Sequence, residues 1–401
     1  MSGLLHLRAL WSILRATYAP RLLRRLGVAA RGLETLPEPP FLLVSDHAHA
    51  LDPYVIGALS PSPIRFMANL EGVGKAKAAL GAFVGAYGRR KGMTDLGALR
   101  MTFEIASAGD SIGIFPEGDR SWDGAGSPLR PGLGKLAKRL GTPLVIARQR
   151  GNYLSLPRWA KRPRRGPWTV DFLSYGADEL AAMSDPLVDA IVERALAKDD
   201  VKDCLREGRE FSGTGVAEGV ERLLWLCPRC WTADSIIGRG DEVRCGACGG
   251  RWLLDANLRV RPLGDHGFEG AASAIVDLKD WNDWQVGVLP YLLESGGGIP
   301  AFESRDVELA ELRRSGRRSL GRGRLSLAGG ELIFESPYGP VAFAAAGIKG
   351  FVDNFNARCE FSADGYRWML DFGGGNAVKW SYALALLAPR GRGAPDDKEA
   401  A

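Results

Sequence analysis

The sequence predicts an α/β domain with a mostly buried sheet and flanking helices, then a small four-cysteine module, then a C-terminal β-rich domain. Three observations predict this order. Residues 40–175 alternate short apolar runs with helix-like patterns, as α/β domains do. Four of the six cysteines fall as two C-x-x-C pairs. Past about residue 300, short β-like runs are separated by Gly, Asn and Asp.

Residues 3–26 read as one basic amphipathic helix. Leu4, Leu7, Trp11, Leu14 and Tyr18 recur at spacings of three and four, while His6, Arg8, Arg15, Arg21, Arg24 and Arg25 lie off that stripe. Such a helix either packs on a neighbouring core or lies in a membrane interface with Trp11 and Tyr18 at headgroup depth. In the α/β region, 41–44, 111–115, 143–148 and 169–173 are the expected strands, with helices over 96–108 and 132–140. A helical pattern over 178–204 reads as a connector. A helix is expected over 280–294. Beyond it, β-like runs are expected at 324–327, 331–335, 341–344, 357–362, 367–372 and 377–384. Gly329-Gly330, Ala363-Asp364-Gly365 and Gly373-Gly374-Gly375-Asn376 are the expected hairpin turns, giving a small antiparallel barrel or sandwich. The expected domains are therefore 1–34, 35–205, 206–262 and 263–390, with a disordered tail at 391–401.

The chain has 401 residues, 46% of them hydrophobic, enough for two or three cores. A formal charge of +5 suits an anionic membrane surface or phosphorylated substrates without demanding nucleic acid. No apolar run reaches the roughly 18 residues that span a bilayer. The N-terminal apolar stretch is broken by Arg8 and Arg15 and lacks a clear cleavage site, so the sequence argues for a cytoplasmic protein.

Chemistry concentrates in two segments. The first is Ser45-Asp46-His47-Ala48-His49-Ala50-Leu51-Asp52, directly after the apolar run 41–44. A histidine at the end of a buried strand sits where open α/β folds place their sites. Neutral imidazole suits removal of a hydroxyl proton near pH 7. Asp52 would bond its second nitrogen, as in a serine-protease triad whose serine is replaced by the substrate's own hydroxyl. The alternative is a surface histidine with Asp52 capping a helix. His47-x-His49 also hints at a metallohydrolase site, but the remaining ligands are missing, since His6 and His266 lie far off in sequence. The second segment is Phe115-Pro116-Glu117-Gly118-Asp119-Arg120-Ser121. Gly118 lets the backbone approach a ligand, and Arg120 matches phosphate bidentately. Glu117 would accept from a substrate hydroxyl or fix a neighbouring arginine. Alternatively, Glu117 and Arg120 pair with each other.

Together, in this order and separation, the two segments resemble the signature motifs of the PlsC-like glycerolipid acyltransferases, over roughly residues 35–175. The resemblance implies that His47 is the general base and Asp52 its orienter. It implies that Glu117, Gly118, Arg120 and Ser121 belong to the segment binding the glycerol phosphate acceptor. An intervening family motif ends in a phosphate-binding arginine, which implies Arg89 or Arg90. An apolar strand with a proline, 142–146, fits a fourth family element. The implied donor is an acyl thioester, acyl-CoA or acyl carrier protein, and the implied acceptor a lysophospholipid such as 1-acylglycerol 3-phosphate. Asp46 and Asp119 stand where the family usually has Asn and Thr and add negative charge near the expected phosphate. Arg158, Lys161, Arg162, Arg164 and Arg165, flanked by Trp159 and Trp168, read as a solvated face or an anionic-lipid contact.

Cys227-Pro228-Arg229-Cys230 and Cys245-Gly246-Ala247-Cys248 make two knuckles separated by 14 residues. Four thiolates satisfy tetrahedral Zn2+ and leave no open catalytic position. The module resembles a zinc ribbon, a structural metal staple packed by Trp225, Trp231 and Trp252. The sequence therefore predicts an O-acyltransferase, peripheral on the inner face of the cell membrane, with structural zinc, no catalytic metal and room for a protein partner on the C-terminal domain. Its rivals are a non-catalytic lipid- or protein-binding scaffold and a zinc-ribbon nucleic-acid binder. The ordinary overall charge argues against the latter.

Overall fold

A computed structural model describes residues 2–69, 85–89, 96–265, 268, 270–294, 302–313, 316–354 and 357–387. Arg90, His266 and the tail at 391–401 lie outside the described residues, as does the side chain of Arg89. The chain forms two compact units. The first is Met1–Val216 with Leu254–Arg259 and Asp277–Lys279, and the second is Ala217–Leu253, Val260–Val276 and Asp280–Ala401.

The first unit opens with α1 (Ser2–Thr17) and α2 (Ala19–Leu26). The expected single helix is broken at Tyr18, and Pro20 occupies the first turn of α2, where its missing N–H costs nothing. Trp11 packs against Gly57 of a later helix, whereas Ile13 is 61% and Tyr18 57% exposed, so Tyr18 is off the packed stripe. Then follow β1 (Val28–Arg31), β2 (Leu42–Ser45), α3 (Asp52–Leu59), β3 (Ile64–Asn69), β4 (Tyr87–Arg89), α4 (Leu96–Ser107), β5 (Ser111–Ile114), α5 (Leu133–Leu140), β6 (Leu144–Arg150), α6 (Asn152–Ser155), β7 (Trp168–Tyr175), α7 (Ala177–Ala182), α8 (Asp185–Leu196) and α9 (Asp200–Arg206). The expected connector helix at 178–204 is thus three helices. Ser184 and Asp199 cap the second and third with their side chains.

Seven strands form one sheet in the order β1-β7-β6-β2-β5-β3-β4. β6, β2, β5, β3 and β4 run parallel, while β7 lies antiparallel to β6. The continuous apolar runs of the central strands follow from burial on both faces. Leu42, Val44, Ile112, Ile114, Leu144 and Ile146 pack one way against Ile105, Ala137, Val188 and Val192. Phe41, Leu43, Val145 and Ala147 pack the other way with Val55, Ile56 and Trp168. The strand period of two sorts successive residues between these cores.

The second unit holds β8 (Ile236–Arg239), β9 (Glu242–Cys245), β10 (Arg251–Leu254) and β11 (Val260–Pro262), a four-stranded sheet in the order β11-β10-β9-β8. The expected helix at 280–294 is two, α10 (Leu278–Gly287) and α11 (Leu289–Glu294). Then come β12 (Glu303–Arg313), β13 (Gly316–Ala328), β14 (Glu331–Ser336), β15 (Gly339–Ala344), β16 (Lys349–Asn354), β17 (Arg358–Ala363), β18 (Tyr366–Asp371) and α12 (Val378–Leu387). They form one antiparallel sheet, β15-β14-β13-β12-β18-β17-β16. Gly329-Gly330 and Asp364-Gly365 make hairpin turns as expected, all four with positive φ. The expected strand at 377–384 is instead helix α12, which buries Val378, Lys379, Trp380, Ala383 and Leu384. The Gly373-Gly374-Gly375-Asn376 turn therefore joins a strand to a helix and makes no hairpin. Among the described residues, no helix is long and apolar enough to cross a membrane.

Candidate active site

β2, β5 and β6 are parallel neighbours, so the loops leaving their carboxyl ends meet at one edge of the sheet. The β2 loop carries His47, the β5 loop carries Glu117 and Arg120, and the β6 end leads into Asn152. β4, farther along the same edge, ends at Arg89, whose backbone pairs with Asn69.

His47 Nδ1 lies 2.8 Å from Asp52 Oδ2. The same carboxylate oxygen accepts the amides of Ala48 at 2.9 Å and His49 at 2.8 Å, so Asp52 both opens α3 and ties the loop that presents the histidine. Its other oxygen accepts from Asn152 Nδ2 at 3.1 Å. Burial alone would raise the Asp52 carboxyl. The His47 hydrogen bond and charge, with His49 and the Asn152 hydrogen bond, instead hold it below the ordinary carboxylate value. The His47 ring stacks on Phe115 at 4.2 Å, and Phe115 stacks on Phe66 at 5.7 Å. Phe66 can lie there because Gly113 has no side chain. A Cβ would sit 2.4 Å from the Phe66 ring. The His47 side chain remains 21% exposed, and the Asp52 contact takes Nδ1 and leaves Nε2 outside it.

His49 is engaged within its own loop. Its Nδ1 accepts the Leu51 amide at 2.9 Å, and burial, opposed by Asp52 and aided by Arg120, lowers its pKa and keeps the ring neutral.

The two motif loops are laced together. The His47 amide donates to Glu117 Oε1 at 3.1 Å, the Ser127 amide to Oε2 at 2.9 Å, and the Ser121 amide to the His47 carbonyl at 2.8 Å. Glu117 thus grips main-chain amides and holds the histidine loop. These amides take the place of the substrate hydroxyl or arginine that the motif suggests as its partner. Burial, reinforced by the Asp46 charge, pushes the Glu117 carboxyl up to about 7. Ser121 is 3% exposed, and its hydroxyl accepts the Gly124 amide at 2.9 Å, so it shapes the loop from within. Gly118 has φ 78°, and what approaches its backbone is the Arg130 side chain, 2.3 Å from where a Cβ would stand. Arg130 is a guanidinium the sequence reading missed.

Arg120 is the site's open cation. Its guanidinium has no hydrogen-bond partner among the described residues. Burial, then the neighbouring Arg158 charge, brings its pKa down to about 10, still fully charged at neutral pH. Arg158 stacks over Trp122 at 3.9 Å, bonds the Arg120 carbonyl at 2.9 Å and pairs with Asp119 at 3.3 Å. The Asp119 carboxylate, which also accepts the Arg120 amide at 2.8 Å, is therefore matched and does not oppose an incoming anion. Asp46 is matched too. Lys198 Nζ sits 2.6 Å from its Oδ2, both side chains buried. Burial works against the Lys198 charge, but Asp200 and Asp46 raise its pKa above the ordinary value. Of the basic cluster at 158–165, Arg158 and Arg164 are buried, as are Trp159 and Trp168, so the tryptophans are core and not a lipid-facing rim.

In the second unit, the four cysteine sulfurs lie within 4.8 Å of one another, with Cys227–Cys248 at 3.8 Å and Cys230–Cys245 at 3.7 Å. Each knuckle closes with an amide four residues on, Trp231 to the Cys227 carbonyl at 2.9 Å and Gly249 to the Cys245 carbonyl at 3.1 Å, both residues at positive φ. Four soft sulfurs in a closed cluster fit a tetrahedral metal and leave no open ligand position. Trp225 and Trp252 of the same unit are fully buried.

Residues 27–147 match the model of the family described as Acyltransferase. A chloroplastic 1-acyl-sn-glycerol-3-phosphate acyltransferase of Brassica napus is 31% identical over 122 residues, 29% of this chain and 35% of that protein. The chain thus spans about a third of the length of the curated relative it matches. The crystal structure of the 1-acyl-sn-glycerophosphate acyltransferase PlsC from Thermotoga maritima aligns with a TM-score of 0.40 at 19% identity, over 49% of this chain and 79% of that one. The first unit carries the PlsC-like acyltransferase resemblance that its two motifs announced.

Proposed function

We propose that the protein is an O-acyltransferase that moves a fatty acyl group from acyl-CoA or acyl carrier protein to the hydroxyl of a lysophospholipid, foremost 1-acylglycerol 3-phosphate, in phospholipid biosynthesis or remodelling. The observation that carries this reading is the 2.8 Å contact between His47 Nδ1 and buried Asp52, with the open Arg120 guanidinium near enough to bias both Asp52 and His49. Neutral His47 takes the acceptor's hydroxyl proton at Nε2 as the oxygen attacks the thioester carbonyl. Asp52 stabilises the imidazolium. The tetrahedral intermediate collapses, the C–S bond breaks, and the departing thiolate takes the proton back. Arg120, with Arg89 or Arg90, holds the phosphate. Glu117, Gly118 and Ser121 build the loop that presents Arg120.

Support for peripheral membrane contact comes from α1 and α2, where exposed Ile13 and Tyr18 share the surface with exposed Arg15, Arg21, Arg24 and Arg25. We assign Cys227, Cys230, Cys245 and Cys248 to a structural Zn2+, which would close the second unit's small sheet.

The reading is tested by offering labelled acyl-CoA and acyl carrier protein with a panel of lysophospholipids to the purified protein. Ester formation names donor and acceptor, while silence across the panel overturns the reading. Within it, Arg120→Ala raises the KM for lysophosphatidate about 10- to 100-fold, the worth of a lost charge-assisted contact. The thioester KM stays nearly unchanged. An unaltered acceptor KM would remove Arg120 from the phosphate site.

A further inference from the structure

We propose that Lys198 and Asn152 are positioning residues which, with Asp46, form a buried relay that sets the charge felt by the His47–Asp52 pair. The proposal rests on the reading of that pair as base and orienter. One side-chain amide touches three charged groups. Asn152 Nδ2 donates to Asp52 Oδ1 at 3.1 Å and to Asp46 Oδ2 at 3.2 Å, while its Oδ1 accepts from Lys198 Nζ at 2.6 Å. Lys198 places its remaining protons on Asp46 Oδ2 at 2.6 Å and the Gln149 carbonyl at 3.3 Å. The Asp46 and Asp52 side chains are fully buried and that of Lys198 is 1% exposed, so water screens none of this.

The arrangement is built from three distant parts of the chain. Asp46 directly follows β2, Asn152 opens α6 after β6, and Lys198 stands between α8 and α9. There the chain also pairs with the loop that continues from Ser121. The Gly126 amide bonds the Lys198 carbonyl at 2.9 Å, and the Asp200 amide bonds the Gly124 carbonyl at 3.0 Å. A buried ion pair adds little net stability over apolar packing of similar volume. Two buried carboxylates sharing one amide donor repel each other, however, and a cation beside them offsets that repulsion. Lys198 is that cation, one amide away from the carboxylate that orients His47.

The consequence is read in the protonation of His47. The groups facing it are Asp52 from α3, His49 in its own loop, and Glu117 and Arg120 from the β5 loop. Behind them lie Asp46, Lys198 and Asp200, with Arg158 behind Arg120. Neutral His47 is the active form, so the acid limb of the pH–rate profile follows its titration. Lys198→Met leaves Asp46 uncompensated, favours imidazolium and moves that limb to higher pH. Asp46→Asn leaves Lys198 with only Asp200, 3.8 Å away, as a partner anion and moves the limb to lower pH. The double variant removes both charges and restores the balance.

The test titrates His47 by NMR in histidine-labelled full-length protein, with the resonance assigned by its loss in His47→Gln, alongside kcat/KM profiles. Lys198→Met is expected to raise the His47 midpoint by about 0.5–1 pH unit and to lower kcat about 10-fold, with the lysophosphatidate KM changed less than about twofold. Asp46→Asn shifts the midpoint down, and Asp46→Asn/Lys198→Met returns it close to wild type. A Lys198→Met midpoint equal to wild type overturns the relay, as does a double variant as displaced as the single. Should Lys198→Met not fold, the Asp46→Asn shift decides alone, and no shift or an upward one overturns the proposal. The NMR midpoint needs no turnover, so a failure of acyl transfer and a failure of the relay are separate results.

Discussion

Asp52→Asn lowers kcat about 10^3- to 10^4-fold, the scale seen when the corresponding carboxylate of a serine-protease triad is replaced by an amide. The reason is local. Asp52 Oδ2 accepts from His47 Nδ1, the Ala48 amide and the His49 amide, and Oδ1 accepts from Asn152 Nδ2. An asparagine offers one acceptor and one donor to this all-donor surround. With its oxygen toward His47, its NH2 faces that of Asn152. Flipped, it faces three donors and forces the other tautomer on His47. Either way the base is mis-set and the loop at 47–49 loosens. Steady-state kinetics on the folded variant check this, and a loss below about tenfold would mean that Asp52 does not orient the base.

Metal removal has the second large effect. Chelation or Cys227→Ser unfolds the four-cysteine module, because apparent zinc binding energies of about 10 kcal/mol or more are folding energy in modules of this size. The loss spreads within the second unit. Gln285 of α10 accepts the Trp225 amide at 3.0 Å and donates to the Leu223 carbonyl at 2.9 Å, and Trp281 donates to the Leu226 carbonyl at 3.0 Å. Buried Lys379 of α12 bonds both Asp234 and the Glu303 carbonyl. Red-shifted tryptophan emission and newly titratable thiols, four after chelation and three in Cys227→Ser, are expected together with a lowered melting transition. Unchanged emission and melting after complete demetallation would show that the cysteines staple nothing.

The parts legible in the sequence were those with strong local signals. Run 41–44 is apolar throughout, and 111–115 is so but for buried Ser111, because both faces are buried, and the cysteine spacing carries its own chemistry. α12 was misread as a strand because a short buried run such as 377–384 shows no period that separates helix from strand. β12 was missed because charged residues interrupt its alternation and Asp306, at φ 58°, lies in a bulge of the pairing with β13. In the site, His47, Asp52 and Arg120 announced themselves by motif. Asn152 and Lys198 did not, since the carboxylates they hold, Asp46 and Asp52, lie 100 or more residues away in sequence and no local pattern marks them. Asp46 looked like a charge set against phosphate only because the lysine that neutralises it is 152 residues on.

The most direct test of the account is acyl transfer by wild type and His47→Ala side by side, with labelled thioester and the acceptor found in the panel, at matched folding and metal content. The account predicts ester formation by wild type and a loss of about 10^4-fold or more in the variant. Equal transfer by both proteins would contradict it.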